Sequence, residues 1–537
     1  MRSSLPAFRR VSRNRRLRRL LAAFFMSGLA EWGTWVAVLV WAHETRGATF
    51  VGVVAAIQLV ISAAIAPYIS SFGDRMTRST ALAFTFLGMG VSLTATGLAF
   101  GSSGGVVLPL ALASLAAATF SVVRPVCASM IPDLSDEPAD AVAANVVSST
   151  LGAGGVFLGP ALAGLMLAVG DSSLVFFAFG LVAAAAGLLI SRVGAVPRAG
   201  GTAVEVAEGF RAALAMLRRL PAQRYILLLS GTSQLVAGAL DVLTVVLAIE
   251  VLGLGESGAG FVVSVLGVGG LVGGVLAMSV VGRRMGPVLL VGALVRGLAL
   301  LALGIQPGWW LLLLFGAGAG LSLIDIGVRT TLQRLVAPDA MSRVFGVLEG
   351  VSLFALAGGS LLASGVIAAF GVSTGFVVFG ALIPLVVFVG FGMLARADRE
   401  ADIPSDVIDA FRSVELFSLL GPPALEMLAR RSRIVRYPPG TMVITEGATD
   451  RFVLLIISGT VDVSKGDRHL ATLGAGDIVG EIAALRETRR TATVTAESAV
   501  TAISVPGEAF VQAVRGETEA WALSGAVAGH RLEQQKL

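Results

Sequence analysis

Apolar runs close to the roughly 20 residues needed to cross about 30 Å of hydrocarbon recur along most of the chain. They lie near residues 20–42, 49–71, 80–101, 106–131, 141–169 and 173–193, and again near 225–250, 258–281, 286–305, 309–333, 343–370 and 374–395. Six runs, a polar stretch and six more imply an α-helical membrane protein made of two six-helix halves. The composition agrees, since 55% of the 537 residues are hydrophobic and only 14% are charged, too apolar for a soluble globular chain. The first run is too long for a cleaved signal segment and is expected to remain as the first helix. A duplication is legible in the residues themselves: Arg124-Pro125 leads to Ile131-Pro132-Asp133 in the fourth run, and Arg329 leads to Ala337-Pro338-Asp339 after the tenth.

The net charge of +5 comes from arginines gathered in particular loops, which argues about orientation and not about nucleic acid. Residues 1–19 form a basic N-terminus, and the loops on its side carry Arg75, Arg78, Arg192, Arg198, Arg211, Arg218, Arg219, Arg224, Arg283, Arg284, Arg334 and Arg343. Opposite loops offer Arg46 alone. The positive-inside rule then places both termini in the cytoplasm, with the lipid bilayer of a bacterial inner membrane around residues 20–193 and 225–396. Between these halves, residues 194–224 form a cytoplasmic linker with an amphipathic segment from Ala203 to Leu220. The single Cys127 and three histidines leave no disulfide framework, and neither a metal nor a cofactor is expected.

After Ala397 the pattern changes. A polar linker, 397–412, precedes a soluble domain, 413–537, in which strand-length alternations such as Phe452 to Ile457 are punctuated by Tyr437-Pro438-Pro439-Gly440, Glu446-Gly447, Ser458-Gly459 and Gly474-Ala475-Gly476-Asp477. This spacing predicts a small antiparallel β-roll. Within it, Gly480-Glu481-Ile482-Ala483-Ala484-Leu485 followed by Arg490-Thr491-Ala492-Thr493 resembles the phosphate-binding cassette of cyclic-nucleotide-binding domains, and the resemblance runs from about Leu416 to Val511. Val479 and Arg489 depart from the usual cassette without removing a ligand-contacting group. A cyclic phosphate needs a fixed cation and several backbone N–H donors, while a ribose hydroxyl needs an acceptor. The resemblance implies Arg490 as the guanidinium, the amides around Gly480, Glu481, Ile482 and Ala483 and that of Ala492 as the cradle, Glu481 as acceptor for the 2′-hydroxyl, and Thr491 on the phosphate or purine. Cyclic AMP is expected over cyclic GMP as a regulatory ligand. Gly507 to His530 is expected to form one amphipathic helix that moves as a lid on it.

In the membrane part, Ser70-Ser71-Phe72-Gly73-Asp74-Arg75-Met76-Thr77-Arg78 resembles the loop motif of the major facilitator superfamily, with Ser70 and Thr77 replacing two glycines. It implies that Asp74, Arg75 and Arg78 latch the halves, with Asp74 at the N-terminal end of the eleventh helix near Ser342. Gly155, Gly159-Pro160 and Ala163-Gly164 are similar to the motif of drug antiporters, and equally suit a plain packing face of small residues. The neighbourhood of Arg124 and the run from Thr331 to Gly346 look like the branch containing siderophore exporters and lysophospholipid transporters.

Ionisable groups inside lipid are costly and usually functional. Glu31 falls near mid-membrane and is the first choice for a protonation site. Asp241 in the seventh span is a second acid or a substrate contact, and Arg124 is a relay, a head-group ligand or a snorkelling side chain. Asp325 and Arg329, four apart, are expected to pair with each other. Trp32, Trp35, Gln58 and Gln234 are weaker cavity candidates. No nucleophile–base constellation or phosphate loop of the NTPase kind occurs, so no enzyme is expected. The expectation is a proton-coupled exporter of a small amphipathic molecule controlled by cyclic nucleotide, as a monomer or homodimer. Its alternatives are a lipid transporter under the same control and a non-transporting membrane receptor.

Overall fold

The computed structural model describes residues 11–73, 76–100, 105–135, 138–196, 221–279, 284–336, 341–401, 405–466 and 468–534. Asp74 and Arg75, the stretch 203–220, Ala337-Pro338-Asp339, and Arg2, Arg9, Arg10, Arg198, Arg211, Arg218, Arg219 and Arg283 lie outside the described residues, as do the side chains of Ser70, Ser342 and Arg343.

Among the described residues, twelve helices are long and apolar enough to cross a membrane. The first half comprises α1 (Arg15–Arg46), α2 (Ala48–Gly73), α3 (Arg78–Phe100), α4 (Val107–Leu134), α5 (Pro138–Leu167) and α6 (Ser172–Ser191). The second comprises α7 (Pro221–Val246), α8 (Gly255–Ser279), α9 (Gly286–Ile305), α10 (Trp310–Leu335), α11 (Met341–Phe370) and α12 (Val372–Val389), with α7 running on through a π-helical turn, Leu247–Val251.

Local chemistry sets the ends of these helices. Asn14 caps α1 by accepting from the amides of Arg16 and Leu17, and its own amide group donates to the Leu134 carbonyl at the end of α4. That places the start of α1 and the end of α4 on one face of the bundle. Asp171 caps α6 through the Leu174 amide on the opposite, distal face.

In lipid the packing of helices relies on close backbone approach, and small residues supply it. A Cβ added at Gly155 would lie 3.0 Å from Gly28 backbone, and one at Gly159 would lie 2.8 Å from the Leu29 carbonyl, so α5 rests directly on α1. The halves meet toward the distal face. There a Cβ at Gly260 of α8 would lie 2.3 Å from the Pro160 carbonyl, and the Gly52 amide of α2 donates to Ser364 Oγ of α11 at 3.1 Å. His43 and Glu250 approach to 3.5 Å at the same level.

Beyond α12 come four short helices: α13 (Phe391–Glu400), α14 (Ser405–Arg412), α15 (Glu415–Ser418) and α16 (Pro422–Arg431). The stretch expected as a polar linker is therefore largely helical, and Val407, Ile408 and Phe411 pack into the same core as Phe417 and Phe510. Eight strands follow: β1 (Arg433–Tyr437), β2 (Met442–Ile444), β3 (Phe452–Ser458), β4 (Val461–Lys465), β5 (Arg468–Leu473), β6 (Ile478–Val479), β7 (Thr493–Ala496) and β8 (Val500–Pro506). They form two antiparallel four-stranded sheets ordered β1-β8-β3-β6 and β2-β7-β4-β5. A short helix, α17 (Glu481–Arg486), interrupts the strands. The single C-terminal helix expected from Gly507 to His530 is instead two, α18 (Gly507–Arg515) and α19 (Thr518–Gln534). The break falls at Gly516, whose low helical propensity ends α18 and lets α19 turn back onto α17.

Candidate functional site

In the C-terminal domain, Gly480, Glu481, Ile482, Ala483, Arg490, Thr491 and Ala492 line one cavity of about 140 Å³. Gly480 makes the cavity's floor possible. Its φ of +87° is a left-handed conformation, and a Cβ there would lie 2.5 Å from Arg490 Nη1 and 2.8 Å from the Phe452 carbonyl. Glu481 opens α17 and is buried at 3% exposure, as is Arg490.

The Arg490 guanidinium donates to the Gly480 carbonyl at 3.1 Å, to the Phe452 carbonyl at 2.9 Å and to Asp450 Oδ2 at 3.2 Å, and it stacks 4.5 Å from the Phe452 ring. Its Nε is buried with no partner among the described residues. An orphaned donor of this kind costs about 1–3 kcal/mol, so the arrangement suits an acceptor that arrives from outside. Glu481 does not pair with Arg490. Its Oε1 accepts from Arg531 of α19 at 2.8 Å, and Arg531 also donates to the Ile478 carbonyl at 2.6 Å. Burial pushes the Glu481 carboxyl above its ordinary value, while Arg531 and Arg490 pull it back. Asp450, Phe452 and Arg531 were not visible as site residues in the sequence, because only the fold brings the β3 entry and the last helix to the cassette.

In the membrane domain, the candidate charges gather between helices. Glu31 of α1 is half-buried in the field of Arg124 of α4, whose own side chain is exposed. Trp35 of α1 and Asp241 of α7, both half-buried, are neighbours across the two halves. Trp32 and Gln234 are half-buried and Gln58 is buried. Arg78 is held within its own half, by Asp133 at 2.6 Å and the Ser129 carbonyl at 2.8 Å, both of α4. Arg329 pairs with Asp325 at 3.0 Å and also reaches Glu349 of α11 at 3.0 Å. Arg296 of α9 went unnoticed in the sequence although it interrupts an apolar span. It is fully buried and donates to Ser233 Oγ at 2.8 Å, and its Nε and Nη2 have no partner among the described residues.

Comparison with known proteins separates the same two parts. The family model of the Major Facilitator Superfamily matches residues 20–349, and that of the cyclic nucleotide-binding domain matches residues 434–517. A cGMP-dependent protein kinase of Eimeria tenella is 34% identical over 106 residues, which are 20% of this chain and 11% of the kinase. The acetyltransferase Pat of Mycolicibacterium smegmatis is 39% identical over 92 residues, 16% of this chain and 28% of the enzyme. A cyclic nucleotide-gated potassium channel of Rhizobium etli is 34% identical over 93 residues, 17% of this chain and 26% of the channel. The chain thus spans about a tenth to a quarter of the length of these relatives. Among solved structures, the regulatory domain of Toxoplasma gondii PKA with cAMP is 16% identical, with 26% of this chain and 55% of that one covered at a TM-score of 0.23. With the family model matched over residues 20–349 and twelve helices among the described residues long and apolar enough to cross a membrane, the chain belongs to the Major Facilitator Superfamily, as a multi-pass membrane protein with a C-terminal cyclic-nucleotide-binding domain.

Proposed function

We propose that this transporter is a proton-coupled exporter of a small amphipathic molecule, of the siderophore and drug exporter-like branch, whose activity is set by a cyclic nucleotide, cyclic AMP in preference to cyclic GMP. The observation that carries the regulatory half is the meeting of buried Glu481 and Arg490 in one cavity, with Arg490 Nε unpaired among the described residues. A cyclic phosphate is the anion that suits this guanidinium together with the amides at the start of α17, and Glu481 suits the ribose 2′-hydroxyl. Arg531 occupies that acceptor in the present structure. The cavity of about 140 Å³ is also smaller than the roughly 300–1,000 Å³ typical of small-molecule sites. Nucleotide entry therefore displaces Arg531 and swings α19 outward.

For transport, Glu31 in the field of Arg124 and the approach of Trp35 to Asp241 between the halves support a central site that loads and unloads protons as the halves rock. The closed distal contacts at Gly52, Gly164 and Gly260 suit one end state of alternating access, and Gly159-Pro160 and Gly164 serve there as the hinge surface of α5 on α1 and α8. The exposure of Arg124 favours a second reading, a lysophospholipid whose phosphate meets this guanidinium from the bilayer side. The proposal places the nucleotide domain in the cytoplasm of a bacterium, at the inner membrane.

Calorimetric titration of the purified full-length protein with cyclic AMP and cyclic GMP tests the regulatory half. Saturable binding that falls at least about tenfold in Glu481→Gln and Arg490→Ala is the expected result, one charge-assisted hydrogen bond being worth about 1.5–3 kcal/mol. A folded wild type that binds neither nucleotide contradicts it.

A further inference from the structure

One ion pair ties the nucleotide domain to the membrane domain. Arg334, in the last turn of α10, has a side chain 3% exposed, and Glu426 of α16 has one 11% exposed. The two meet as parallel bonds, Nε to Oε1 at 2.6 Å and Nη2 to Oε2 at 2.8 Å. One turn further along α16, Arg430 donates to the main-chain carbonyl of Arg334 and so caps the end of α10. Burial beside Arg334 holds the Arg430 guanidinium below its ordinary value, with Glu426 opposing. The adjoining carbonyl, that of Leu335, accepts from Gln223 of α7 at 3.2 Å. The C-terminal end of α10, the N-terminal end of α7 and α16 thus form a single bonded corner.

The rest of α16 faces the nucleotide cavity's scaffold. Leu425, Leu428 and Ala429 are buried with Phe510, Ala513 and Val514 of α18, and α18 in turn packs on α17 and α19, the helices that carry Glu481 and Arg531. Glu426 and Arg430 at i and i+4 share one stripe of α16, while Leu425, Leu428 and Ala429 share the next. One short helix therefore reads the cavity on one side and holds a transport helix on the other. Upstream on α10, Arg329 bridges Asp325 and Glu349 of α11, so a shift at Arg334 meets a second charged contact between transport helices within two turns.

Resting on the nucleotide reading above, we propose that the Arg334–Glu426 pair is the coupling joint of the molecule, through which α16 transmits nucleotide occupancy to the domain-side end of α10. The docked pair coexists with Arg531 seated on Glu481, so docking and the plugged cavity belong to the same state. Nucleotide, which removes the plug, works against docking. Coupling free energies are reciprocal, so weakening the joint must strengthen nucleotide binding.

The test is cyclic AMP affinity of the full-length protein carrying Glu426→Gln, Arg334→Gln, both together, or the exchanged pair Arg334→Glu with Glu426→Arg. None of these residues lines the nucleotide cavity. Each neutralising variant is expected to bind about fivefold tighter or more, the double variant no tighter than the stronger single, and the exchanged pair near wild type. Hydrogen exchange supplies a second readout: cyclic AMP is expected to change exchange in residues 329–336 of the wild type and not in Glu426→Gln. Affinities all within twofold of wild type, or an exchange response that persists in Glu426→Gln, overturn the coupling role while leaving nucleotide binding intact. A wild type that binds no cyclic AMP overturns the nucleotide reading itself, and this joint with it. If the neutral variants do not fold, the exchanged pair decides: wild-type affinity with a retained α10 response supports the joint, and wild-type affinity with no α10 response overturns it.

Discussion

At the scale of single residues, the C-terminal cavity is a set of charges held ready by one another. Arg490 is fixed by the carbonyls of Gly480 and Phe452 and by Asp450, so its guanidinium is oriented before any ligand arrives. Lysine keeps the charge but not the fork, and Arg490→Lys is expected to lose at least about tenfold in cyclic AMP affinity by calorimetry. Arg531 acts in the opposite sense. Arg531→Ala frees Glu481, and affinity is expected to rise about tenfold, the worth of one charge-assisted bond; a fall would show that Arg531 contacts the ligand instead. The cassette residues were legible in the sequence because they lie within thirteen residues, Gly480 to Ala492, and their types match a phosphate and a ribose. Arg531 and Asp450 were not, since nothing in a helical C-terminus or a strand-leading Asp marks a partner 50 or 40 residues away. Glu426 was hidden for the same reason, and Arg334 read as a loop arginine obeying the positive-inside rule.

At the scale of elements, the membrane helices follow directly from hydropathy, and all twelve lie where the apolar runs place them. How they pack depends on glycines whose partners lie far away in sequence. Gly52 admits Ser360 and Ser364 of α11, and a Cβ there would lie 2.2 Å from the Ser360 carbonyl. Gly52→Val is therefore expected to hold the distal face open. In a Cys127→Ser background, a cysteine at Ser257 should label severalfold faster with an impermeant maleimide in that variant, and equal rates would contradict the account. The divided C-terminal helix shows the limit of pattern reading: the apolar periodicity persists on both sides of Gly516, and only contact with α17 turns α19 back.

At the scale of the whole molecule, the C-terminal domain sits on the end of α10, and the halves touch at the distal face while Arg531 sits on Glu481 in the C-terminal cavity. Transport is expected to depend on the half-buried acids. Glu31→Gln in proteoliposomes should abolish proton-driven flux while leaving cyclic AMP affinity unchanged, whereas greater sensitivity at Arg124 would favour the lipid substrate. Under the proposed regulation, nucleotide in the C-terminal domain changes the arrangement of the two membrane halves. The most direct test of that change is the distance between spin labels at Thr49 and Ser373, exposed on the distal face in opposite halves, in a Cys127→Ser background. Saturating cyclic AMP is predicted to shift that distribution in the wild type and to leave it unmoved in Arg490→Ala; an unchanged distribution in a wild type shown to bind the nucleotide would contradict the account.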